Sequence, residues 1–184
     1  MSSPPDFTEH PLASKCVYQG RLLHIREDVV GLPDGGQAFR EYVVHPGAVM
    51  IIALTDTGKL VLERQFRYPI GQHMYELPAG KIDPGEDALA TAKRELLEET
   101  GFVAADWREL TTVYPLVAYS SEAIRVYLAR GLRYEGRRLD PGEFLETLEM
   151  ALEDALDWVR AGRISDGKTV MGLLWAERVL RNGW

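Results

Sequence analysis

The chain has 184 residues, 46% hydrophobic and 27% charged, which is the make-up of a soluble protein with a packed core and excludes a disordered chain. Its formal charge of -7 argues against nucleic acid as the main partner, because phosphate backbones are bound by basic surfaces, but leaves room for a small anionic ligand held by a few arginines. Apolar runs fall short of the roughly 18 residues of a membrane span. The single cysteine, Cys16, has no internal partner, so a reducing, cytoplasmic setting is expected.

The opening MSSPPDFTEH lacks the basic and apolar regions of a secretion signal, and with Pro4, Pro5 and Pro11 the first dozen residues are expected to fray. CVYQGRLLHIREDVVGLPDGGQAFREYVVH then reads as short strands around an Asp34-Gly35-Gly36 turn. AVMIIALT is a near-continuous apolar run, predicting a strand covered on both faces. Thr57-Gly58 turns, and KLVLERQFRYP alternates as a partner strand. After the Asp83-Pro84-Gly85 turn the pattern becomes helical from about Asp87. ELTTVYPLV and AIRVYLARGL predict further strands. Residues 151–161 and 168–181 have helical spacing, the first stopped by Gly162 and the second capped by Asp166. Strands interleaved with helices in this order predict a mixed α/β domain.

The helix after Asp87 poses a question. Leu89, Ala92 and Leu96 fall on one buried stripe, and beside it Glu95, Glu98 and Glu99 crowd the final turn. Acids there oppose the helix dipole by roughly 0.3–1 kcal/mol each. Like charges four residues apart add a few tenths more. A divalent cation reverses both penalties, since Mg²⁺ takes carboxylate oxygens and bridges to phosphates. Arg94 stands four before Glu98 and is placed to pair with it. Without a cation, the same turn is simply a solvated, salt-bridged face.

The whole segment GKIDPGEDALATAKRELLEETGF resembles the Nudix box, matching it at Gly80, Glu86, Arg94, Glu95, Leu96, Glu98, Glu99, Gly101 and Phe102. The flanks HPGAVMIIAL, LERQFRYPIGQHMYELPAGKID and GRISDGKTVMGLLW resemble the ADP-ribose pyrophosphatase group of that family. The resemblance implies an α/β/α sandwich with a mixed sheet, comprising residues 46–184, preceded by a small antiparallel sheet over residues 1–45. It implies hydrolysis of ADP-ribose or a related nucleoside diphosphate sugar with Mg²⁺ or Mn²⁺. Ala79 (through its carbonyl), Glu95, Glu98 and Glu99 would be metal ligands. Glu98 and Glu143, in the loop LDPGEFLETLEM, are the candidates for the base that takes the water proton, with Glu146 as the fallback. Glu86 and Arg94 would tie loop to helix, Arg67 would contact phosphate or ribose and Arg40 phosphate, and Tyr18 and Phe39 would stack on the base. A homodimer is implied, with residues 15–45 at its interface. The sequence departs from the group at its marker proline: Pro115 stands nearer the box than in the group, with Val117-Ala118 in the usual place. GDP-mannose or another sugar nucleotide is the alternative substrate, and a non-catalytic nucleotide-binding module the alternative of another class.

Overall fold

The computed structural model describes residues 4–182. Met1 to Ser3 of the expected N-terminal region, and Gly183 and Trp184 of the expected hydrolase region, lie outside the described residues. The chain opens with β1 (His10–Gln19), β2 (His24–Gly31) and β3 (Gln37–Val43), an antiparallel sheet in that order. Order begins at His10, earlier than the prolines suggest. Pro11 is tolerated because β1 is an edge strand whose register slips between Pro11 and Ala13.

The main body follows: β4 (Ala48–Ala53), β5 (Leu60–Arg67), β6 (Gln72–Glu76), β7 (Ala79–Lys81), α1 (Ala88–Glu95), β8 (Phe102–Val113), β9 (Ile124–Tyr134), β10 (Leu145–Met150), α2 (Leu152–Arg160) and α3 (Gly167–Asn182). One sheet runs β7-β4-β9-β8, with β4 and β9 parallel and the remaining pairs antiparallel. A second antiparallel sheet runs β10-β5-β6. The stretch expected as a strand at 109–117 is the end of the longer β8, which stops at Val113 before Pro115.

β4 is buried along its whole length, as its unbroken apolar run predicts, and its alternation divides two cores. Val49, Ile51 and Ala53 face Ala88, Ala92 and Leu96 of the α1 segment. Met50, Ile52 and Leu54 face Leu152 and Ala155 of α2 and Leu173, Ala176 and Val179 of α3. Helices therefore cover both faces of the mixed sheet, an α/β/α sandwich with the small N-terminal sheet appended. Each fully buried aliphatic side chain here is worth roughly 1.5–3 kcal/mol of transfer free energy.

An acid-lined cleft between β5, β7 and the α1 segment

The helix that carries the acids starts where its residues require. Asp87 caps it, its Oδ1 accepting from the Leu89 and Ala90 amides at 2.9 and 3.2 Å. The end departs from the regular spacing expected. From Leu96 to Thr100 the backbone winds as a single π turn, closed by Gly101 at φ 80°. Such turns are rare and recur at functional sites. Only glycine fits at 101, because a Cβ there would lie 2.5 Å from the Tyr134 ring and 2.8 Å from the Arg137 amide. The wider turn swings Glu99 inward to 5% exposure and leaves Glu98 at the edge beside Arg94.

Arg94 organises the rim. Its Nε and Nη2 donate to Glu86 at 3.0 and 2.9 Å, and its Nη1 donates to Glu95 and Glu98, both at 2.9 Å. Loop and helix are tied as expected of this pair. Arg94 holds the Glu86 carboxyl down at about 2. Gly80 serves by close approach: the Glu95 carboxylate lies where a Cβ would sit, its Oε1 only 1.9 Å from that position. The Ala79 amide donates to Glu99 at 3.1 Å, so β7 and the π turn are in direct contact.

These groups line a cleft of about 400 Å³ together with Gln65, Arg67, Lys81, Glu122, Asp140, Glu143 and Lys168. Ala79, Glu95, Glu98, Glu99, Arg67 and Glu143 are thus brought together. Glu146 stands opposite Arg64 on β10 and outside the cleft lining. Arg40, Tyr18 and Phe39 do not line the cleft either: they belong to the N-terminal sheet, where Arg40 is paired to Glu9. His45 Nδ1 accepts from the Gly47 amide at 3.1 Å, and its Nε2 stands 3.7 Å from Glu122.

Two features were not anticipated. Arg67 makes a two-point pair with Glu76 at 2.6 and 2.8 Å, and Lys168 binds the same Glu76 and, at 2.8 Å, Asp166. Burial pushes Glu76 up, yet Arg67 and Lys168 outweigh it and hold the carboxyl below its usual range. The period-two pattern of β5 would have placed Glu63 on the face of Gln65 and Arg67. In the structure Glu63 is buried against Glu99. Burial first, then the neighbouring carboxylates, push the Glu99 carboxyl far above the usual range, and burial does the same to Glu63.

This donor set suits a hard divalent cation. Carboxylates line the cleft, and Glu63 Oε1 is buried without any hydrogen-bond partner among the described residues. As the side chains stand, no three acidic, imidazole or thiol groups among the described residues are gathered into a ready-made metal centre, because Arg94 bonds to Glu95 and Glu98.

A mixed sheet between helices, with acids on a loop, helix and loop beside a cationic wall, defines a hydrolase of the α/β/α sandwich class. The chain belongs to the Nudix family: the NUDIX domain matches residues 44–170. It is 38% identical over 171 residues to an ADP-ribose pyrophosphatase of Bacillus subtilis (strain 168), covering 92% of each chain. It is 36% identical over 173 residues to a methanol dehydrogenase activator of Bacillus methanolicus, covering 93% of this chain and 94% of that one. A crystal structure of an ADP compounds hydrolase superposes with a TM-score of 0.87 at 25% identity, over 98% of each chain.

Proposed function

We propose that this chain hydrolyses the pyrophosphate bond of ADP-ribose or a related nucleoside diphosphate sugar, giving a nucleoside monophosphate and a sugar phosphate. The observation that carries this reading is the juxtaposition in one cleft of Glu95, Glu98 and Glu99 with Arg67 and Lys168. The likeness to a pyrophosphatase of ADP-ribose over almost the whole chain supports the substrate class.

Glu95, Glu98, Glu99 and the Ala79 carbonyl would hold Mg²⁺ or Mn²⁺. When bound, such an ion neutralises phosphate charge and lowers the pKa of water. Arg67, kept in place by Glu76, offers planar donors that match phosphate oxygens. Glu98 has one oxygen committed to Arg94, whereas the Glu143 carboxylate makes no hydrogen bond or ion pair among the described residues. Glu143 is therefore the better placed of the two to take the proton of the attacking water, from a loop facing the acids. Arg40 is assigned to phosphate contact and Tyr18 and Phe39 to base recognition at the N-terminal sheet, which we take to be completed by a second copy in a homodimer. All ten residues of β1 are exposed, Leu12, Val17 and Tyr18 among them. No described helix is long and apolar enough to cross a membrane, and we assign the enzyme to the cytoplasm.

A panel of ADP-ribose, GDP-mannose and other sugar nucleotides, scored by phosphate released after phosphatase treatment, tests the proposal. ADP-ribose is expected to be cleaved with Mg²⁺ or Mn²⁺, and Glu99→Gln to lower turnover at least about 10²-fold. Absence of metal-stimulated cleavage across the panel overturns it. Preference for GDP-mannose shifts the substrate and keeps the chemistry.

A further inference from the structure

On β5 the alternate residues Val61, Glu63, Gln65 and Arg67 share one face. Val61 enters the core beneath α1, while Gln65 and Arg67 line the cleft. Glu63 stands between them, 3% exposed, at the boundary of core and cleft. Its cross-strand neighbours are Glu76 on β6 and Thr147 on β10. Thr147 in turn donates to the Glu99 carbonyl at 3.4 Å. The carboxyl of Glu63 lies beside that of Glu99, and Glu76, Glu143 and Arg67 are close enough to act on it through charge.

Arg67 does not satisfy Glu63, since its guanidinium is bonded to Glu76. Glu63 Oε1 is left as the one buried side-chain oxygen without a partner among the described residues. A buried acceptor without a donor is costly, and native structures contain few. An apolar residue of similar volume would fill this place without that cost. The position looks onto carboxylates on one side and core on the other, and the described residues offer Oε1 no donor.

We propose that Glu63 is a further carboxylate of the cation site, standing directly behind Glu99 and helping to hold the divalent ion. The inference rests on the reading of the cleft as a cation site. It assigns a role to a residue outside the loop–helix–loop segment, on the strand that also carries Arg67. The acidic cluster then extends from the mouth of the cleft to its floor.

The test is Mn²⁺ binding to the metal-stripped full chain by calorimetry, with thermal melts with and without Mn²⁺. Wild type is compared with Glu63→Gln, Glu63→Met and Glu99→Gln. The two Glu63 variants are expected to bind Mn²⁺ about 10- to 100-fold more weakly. Their metal-free melting temperatures should equal or exceed that of wild type, and the rise that Mn²⁺ produces should shrink. Wild-type affinity in both Glu63 variants, with binding lost in Glu99→Gln, overturns this inference and leaves the cation site standing. Metal-free melting well below wild type in both Glu63 variants also overturns it, since the carboxyl would then be stabilising the fold itself. A wild-type chain that binds no Mn²⁺ removes the cation site and this inference together.

Discussion

At the scale of single residues, the cleft depends on contacts closer than ordinary packing allows. Gly80 is the sharpest case. An alanine methyl there would fall 1.9 Å from Glu95 Oε1, yet the obstructing group is the far end of a flexible side chain. Gly80→Ala should therefore keep the fold, with a melting temperature within about 3 °C of wild type. It should cost at least about 10-fold in kcat/KM by displacing the Glu95 carboxylate. A variant with wild-type kcat/KM would contradict this account of Gly80. Much of the residue-level site was legible beforehand, because the acids sit at fixed spacing on one short segment. Glu76, Glu63 and Lys168 were less so. Their roles arise from pairing across β5 and β6 and from a contact between Lys168 and Glu76, residues 92 apart in the chain, which local spacing does not encode.

At the scale of elements, the loop before α1 is fastened to the helix by the Glu86–Arg94 pair. Arg94 holds the Glu86 carboxyl at about 2, below the ordinary glutamate value near 4.3. A carboxyl lowered in the folded state stabilises fully above its unfolded value, and that contribution is lost as pH falls through the folded one. Wild type should therefore melt above Glu86→Gln at about pH 6, and the gap should close between about pH 4 and pH 2. Melting curves across that range check it, and a gap that stays constant counts against the pairing. Most elements were readable from periodicity: the buried β4, the alternating β5, the capped α1 and the two later helices. The short β7 and β10 were not, since three to six residues beside Pro-Gly turns carry little pattern. The π turn was also hidden, because the side-chain sequence reads as an ordinary helix up to Gly101.

At the scale of the whole molecule, the N-terminal sheet gives its outer strand entirely to the surface. Leu12 and Val17 are 56% and 46% exposed on an edge strand that pairs only with β2. Unprotected edges of this kind invite pairing with another chain. Sedimentation equilibrium should give the mass of two chains, and Leu12→Glu combined with Val17→Glu should give the mass of one. A wild-type monomer at working concentration refutes the dimer.

The tie between Lys168, Thr169 and the strand end at Glu76-Leu77 spans 92 positions of sequence. During synthesis, the acids of the box leave the ribosome long before Lys168 and Thr169, which fasten Glu76 and Leu77. A half-made chain would carry every acid of the box and the Arg67–Glu76 pair and still lack the lysine that completes this wall, so competence should arrive late in translation.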